Sequence, residues 1–248
     1  MSQEFLALIV VGFLAQLVDG ALGMAFGLLS TTALLVLGIP PAHASAAVHT
    51  AEVVTTAASG LSHLVYRNID RRLLLTLAVP GVLGGVLGAF VLSNIDGKAI
   101  RPFIAAYMLI MGLFILMKAS RLVPASEDAK TTYAAPLGLV GGFLDAIGGG
   151  GWGAMVTSTL IGSGHAPRKV IGSVNAAEFF ITVAVATTFF IELAATHLAH
   201  IAALIIGGLL AAPFSGYIVR YARPRLLMLA VGVLVSALAV LQLVRSLG

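Results

Sequence analysis

The sequence predicts an all-α, polytopic membrane protein of two inverted repeats. Each repeat has about five helical segments, the first two short and hinged. Three observations carry this prediction. Long apolar runs recur along the chain, every Lys and Arg falls between or beyond them, and the chain repeats itself at an offset of 126 residues. Residues 44–66, 73–92, 103–117, 170–191 and 226–244 are such runs, and most are close to the ~20 residues that cross a ~30 Å hydrocarbon core. The hydrophobic fraction is 59% and the charged fraction 10%, outside the range of soluble globular domains. There is no cysteine, which excludes disulfides, thiolate metal sites and a Cys nucleophile.

The repeat sets the domain plan. Residues 19–52 lie on residues 145–178 without a gap, and ten of the 34 columns are identical. Among them are Asp19/Asp145, Gly23/Gly149, Gly27/Gly153, Thr31/Thr157, Pro41/Pro167 and Glu52/Glu178. Apolar matches mean little in so apolar a chain, but acids, glycines and a proline paired at one spacing do. The first transmembrane repeat is then residues 1–120, the linker 121–134 and the second repeat 135–248.

Each repeat opens on an interrupted run. Residues 5–37 are apolar, yet 33 residues of straight helix would measure about 50 Å. The interruption is Asp19-Gly20-Ala21-Leu22-Gly23, and its counterpart in residues 137–161 is the four glycines 148–151 after Asp145. Glycine runs break helices and Asp caps them, so each opening segment is expected to form two helices of about 12–14 residues. The first residues have no positive n-region and no small-residue cleavage site before Asp19, so the first run reads as an uncleaved helix.

Charge decides whether these hinged segments cross or fold back. If each crosses once, the 14 Lys and Arg divide seven to seven between the two faces. If each folds back, Arg67, Arg71, Arg72, Lys118, Arg121, Lys130, Arg168, Lys169, Arg220, Arg223 and Arg225 share one face. Only Lys98, Arg101 and Arg245 fall on the other. The cytoplasmic excess of Lys and Arg in membrane proteins favours the second arrangement. It gives ten helical segments, inverted halves and two periplasmic termini. Inverted repeats with broken helices are a transporter architecture, with the site where the breaks meet near the midplane.

Polar residues inside the runs are the candidates for function. Asp19 and Asp145 either cap the short helix that follows or present a protonatable or cation-coordinating carboxyl to the solute. Glu52 and Glu178 lie deep in apolar helices, where an ionised acid costs at least a few kcal/mol. Around Glu52, the residues Ser45, His49, Thr56, Ser59 and His63 share one helical face. In the second half that stripe shrinks to Asn175, Glu178 and Thr182. It serves either as an interhelical hydrogen-bond seam or as a coupling or gating pathway. Gly20 and Gly23, with Gly149, Gly150 and Gly151, expose backbone N–H groups at helix starts, which bind anions. Thr31 and Thr157 could add hydroxyl donors, and His49, Asn175 and Trp152 could line the same place. Close packing through small residues is the competing account of the glycines. No catalytic motif, metal-ligand spacing or cofactor fingerprint occurs. The basic residues form short loop clusters without interleaved aromatics, which argues against nucleic acid and for the lipid bilayer as partner.

The openings GFLAQLVDGALGMAFG and GGFLDAIGGGGWGAMV, followed by Pro41 and Pro167 and by VHTAE and VNAAE, carry a resemblance. With the glycine-rich PGVLGGVLGAFV, they make the chain similar to the TauE/SafE sulfite exporter family, also called the toluenesulfonate uptake permease family. The resemblance covers nearly the whole length. It implies a bacterial inner-membrane secondary transporter, an exporter of small sulfur-containing anions such as sulfite or sulfonates. An anion or small-solute channel is the alternative. Coupling to a proton or cation, and a homodimer, stay open.

Overall fold

The computed structural model describes residues 3–119, 133–193, 197–218, 221 and 223–247. The inter-repeat linker expected at 121–134 lies largely outside them. Among the described residues every regular element is helical. The first half contains α1 (Gln3–Leu22), α2 (Phe26–Val36), α3 (Pro41–Val65), α4 (Arg71–Ser93) and α5 (Gly97–Ala119). The second contains α6 (Ala134–Gly148), α7 (Trp152–Gly162), α8 (Pro167–Glu192), α9 (Leu198–Ala211), α10 (Ser215–Ile218) and α11 (Pro224–Leu247).

Local chemistry explains the boundaries. Gly38 and Gly164, a repeat pair, follow α2 and α7 at φ +87° and +90°. Pro41 and Pro167 then open α3 and α8 from the first helical position, where a missing N–H costs nothing. Asp70 caps α4 by accepting from Arg72 N and Leu73 N at 2.9 and 3.2 Å. The breaks sit at Gly23–Ala25, where Gly23 has φ +65° and Ala25 +107°, and at Gly149, Gly150 and Gly151, all with positive φ.

Two elements differ from expectation. Helix α1 has 20 residues rather than about 12–14, because Asp19 does not end it; the turn comes four residues later, at Gly23. The segment after α8 is not one straight helix. A 3₁₀ turn over Ala212–Phe214 interrupts it, as Pro213 removes a backbone donor.

Packing repeats at the 126-residue offset. Helix α1 lies on α9 as α6 lies on α4, while α3 pairs with α8 and α5 with α11. The start of α8 meets the end of α3: Arg168 donates to Asn68 Oδ1 and to Tyr66 O. Helices α3 and α8 therefore pack antiparallel. Glycines set the close approaches. A Cβ on Gly12 would stand 2.7 Å from Leu204 O, and one on its repeat partner Gly138 would stand 2.7 Å from Leu77 O.

The surface carries the apolar side chains that a bilayer requires, among them Val10, Leu83, Phe90, Phe103, Phe190 and Ile191. Among the described residues, five helices are long and apolar enough to cross a membrane: α1, α4, α5, α8 and α11. Helix α3 has the length, 25 residues, but its polar stripe lowers its hydropathy. Those polar residues, Ser45, His49, Glu52, Thr55, Thr56, Ser59 and His63, are all buried.

Candidate functional site

Asp19 and Asp145, each 2% exposed, sit at the two breaks. Each reaches seven residues forward to the first N–H of the next helix. Asp145 Oδ1 accepts from Trp152 N at 2.8 Å, and the Asp19 carboxyl accepts from Phe26 N. Phe26 and Trp152 are themselves a repeat pair. Both acids thus cap the short helix that follows and answer the first of the free donors at its start.

Their second oxygens cross to the other half. Asp145 Oδ2 lies 3.1 Å from His49 Nε2, and Asp19 Oδ2 accepts from Asn175 Nδ2 at 2.8 Å. His49 and Asn175 occupy equivalent positions in α3 and α8. The His49 tautomer follows from its other nitrogen. Nδ1 is 2.8 Å from Ser45 O, a group that can only accept, so Nδ1 carries a hydrogen. Nε2 and Oδ2 then share one further proton, since two bare acceptors would repel at that distance.

The backbone of the breaks is exchanged in the same way. Thr31 donates to Gly149 O, and Thr157 donates to Gly23 O at 2.9 Å. Thr31 and Thr157 are a repeat pair, as are Gly23 and Gly149. The chains approach closely enough that a Cβ on Gly27 would be 2.7 Å from Gly150 Cα, and one on Gly153 would be 2.1 Å from Gly23 O. The glycines therefore serve close packing, and they do so where the two breaks cross.

Glu52 and Glu178 are buried beside this crossing and interact electrostatically with each other and with both aspartates. Glu52 Oε1 is 3.0 Å from where a Gly27 Cβ would lie, and its Oε2 has no hydrogen-bond partner. Ser59 donates to Asn175 Oδ1, which ties the α3 stripe to Asp19. Two residues expected at the site lie apart from the crossing's polar groups. Gly20 packs on Ser215 of α10. The Trp152 side chain is fully buried, its indole donating to Val174 O at 3.2 Å and its ring lying against Gly81 and Gly141. The sequence reading missed Tyr107, whose hydroxyl donates to Gly150 O at 3.1 Å. It also missed the Ser45 hydroxyl bond to Ala146 O at 2.7 Å. A lone phenol within the run 103–117 was the only signal for the first.

The two threonine bonds latch the crossing, and their loss is measurable. Thr31→Val and Thr157→Val keep the volume but orphan a buried carbonyl. Each should cost about 1–2 kcal/mol, with a coupling between them of at least ~0.5 kcal/mol in a double-mutant cycle. Denaturant unfolding in detergent checks this; unchanged stability in both variants would show that the hydroxyls hold nothing.

Comparison with known proteins identifies a family of membrane transporters. A family model described as Sulfite exporter TauE/SafE matches residues 8–242. The chain is 41% identical over 245 residues to the "Probable membrane transporter protein YtnM" of Bacillus subtilis (strain 168), covering 96% of this chain and 80% of that one. No solved structure matches it. With five helices among the described residues able to cross a bilayer, this chain is a multi-pass membrane transporter and belongs to the TauE/SafE sulfite exporter family.

Proposed function

We propose that the protein is a secondary carrier that exports a small sulfur-containing anion, such as sulfite or a sulfonate, across the bacterial inner membrane. The halves 1–120 and 135–248 act as inverted repeats with periplasmic termini. The observation that carries the reading is the reciprocal crossing of the breaks, in which each half latches and caps against the other through equivalent residues. Such a joint has two equivalent ways to part, one toward each face, which is what alternating access requires. The packed contact of Gly27 on Gly150 favours a carrier over a continuously open channel.

The anion is held by first-turn N–H groups of α2 and α7, beside Gly23, Gly149, Gly150 and Gly151. The Thr31 and Thr157 hydroxyls become donors once their latches release, with His49 and Asn175 alongside. Such a site has no Lys or Arg and releases its ligand readily. Four carboxyls and one imidazole in lipid leave excess negative charge unless protons or a cation accompany them. Asp19, Asp145, Glu52 and Glu178 are therefore the coupling and gating groups.

Two measurements test this. Proteoliposomes loaded with unlabelled sulfite should accumulate labelled sulfite by counterflow; passive equilibration without overshoot would identify a channel. Single cysteines at the exposed repeat pair Leu37 and Ser163 should label from opposite sides of the membrane, and labelling from one side would remove the inverted arrangement.

A further inference from the structure

Three imidazoles that the central cluster does not use meet near the start of α3. The His43 ring centroid is 5.6 Å from that of His197, which is 5.6 Å from that of His200. His197 immediately precedes α9 with φ 59°, a backbone state that is rare for a residue with a Cβ and clusters at functional sites. Beside the imidazoles is a hollow of about 200 Å³ lined by His43, Ala47, Thr50, Phe189, Leu193 and Ile201. That is below the roughly 300–1,000 Å³ of sites for drug-sized ligands and suits a small solute.

The hollow points at the crossing. Phe189 is 1% exposed, and its ring centroid is 6.2 Å from that of His49. One aromatic ring therefore separates the hollow from the His49–Asp145 pair. The 126-residue offset relates it to a second hollow: Thr50, Ala186 and Phe190 line the first, while their partners Ala176, Gly60 and Leu64 line the second, with Arg71. The two lie at opposite ends of the antiparallel α3–α8 pair, as the two mouths of one path would.

The titratable group lining this first hollow is His43 from α3; His197, whose ring is next to His43, and His200, whose ring is next to His197, sit outside its wall at the α9 start. From α8 the hollow receives apolar side chains, and Glu192 at the end of that helix is exposed and does not line it. His197 is held below the ordinary imidazole range, first by partial burial and then by repulsion from His43 and His200. The Nδ1 of His200 is buried without a hydrogen-bond partner.

We propose that this hollow is an anion-binding vestibule, in which His43, His197 and His200 hold a small oxyanion at one mouth of the path and Phe189 closes it off from His49. The inference rests on the carrier reading above. A bound anion stabilises imidazolium, so anion and proton arrive together and affinity rises as pH falls. The sign is fixed by the start point: His197 is depressed without an anion, so binding moves its midpoint upward.

The test uses full-length protein in nanodiscs with isotope-labelled histidine. Sodium sulfite, methanesulfonate and sulfate are titrated between about pH 5 and pH 8. His197 should titrate at higher pH with anion present. A His43→Gln/His200→Gln variant, which leaves the residue before α9 intact, should bind about tenfold or more weakly and lose the pH dependence of transport KM. Imidazoles that respond to none of the three anions would overturn the vestibule, as would a variant with wild-type KM and pH profile. Sulfite transport with silent histidines sinks the vestibule and leaves the carrier. Histidines that respond to sulfate without any sulfite or methanesulfonate flux keep the vestibule and sink the substrate class.

Discussion

Asp145→Asn is expected to give a folded protein with almost no transport, whereas Asp145→Ala is expected to lose much of its stability as well. The carboxyl does two separable jobs. Its Oδ1 caps Trp152 N, and its Oδ2 shares a proton with His49 Nε2. An Asn side chain can do the first through its carbonyl and can donate through its amide to a neutral His49. What it cannot do is carry charge or exchange the proton. Alanine leaves both the helix donor and the imidazole unpaired, a loss of about 3–5 kcal/mol for a broken buried pair. Thermal unfolding in detergent and flux in proteoliposomes separate the two. Wild-type flux from Asp145→Asn would reduce the carboxyl to a cap. The second half supplies the control, because Asn175 already faces Asp19 there. His49→Asn makes the first half copy that arrangement, so retained folding with lost flux would place the proton function on the imidazole.

The sequence made some of this legible and hid the rest for physical reasons. The repeat exposed both breaks, both aspartates and both glutamates, because acids and glycines at a fixed offset stand out in an apolar chain. Which groups pair was not readable. Helical spacing places His49 and Glu52 on one face of α3, yet His49 meets Asp145 of the other half. Periodicity names a face and not the helix that packs on it. Ala25 at φ +107° was invisible for a similar reason. Its repeat partner is Gly151, but an alanine gives no local sign of a turn. The extra length of α1 also escaped, since an Asp in the last turn of a helix and an Asp that ends one look alike in sequence.

Gly150→Ala should abolish transport and destabilise the fold, while Gly38→Ala should be mild, although both glycines have positive φ. At Gly38, φ is +87° and nothing lies within 4 Å of the added methyl. Only the conformational cost remains, about 1 kcal/mol. At Gly150, φ is +150° and the methyl would lie 2.3 Å from Gly27 C and 2.4 Å from Leu28 N. Both obstacles are backbone, at the start of α2, and cannot swing aside like a flexible side chain. Overpacking of roughly 1–3 kcal/mol then adds to a backbone strain of similar size. The damage falls on the joint between the halves, because the methyl would wedge apart the chains that Thr31 and Thr157 latch. Gly150→Ala should therefore lower the unfolding temperature well below that of Gly38→Ala and eliminate counterflow. Equal stability of the two variants would mean that the breaks are not pressed together in the membrane. Normal stability with lost counterflow would instead show that a protein tolerating the wedge still needs the closed joint to complete its cycle.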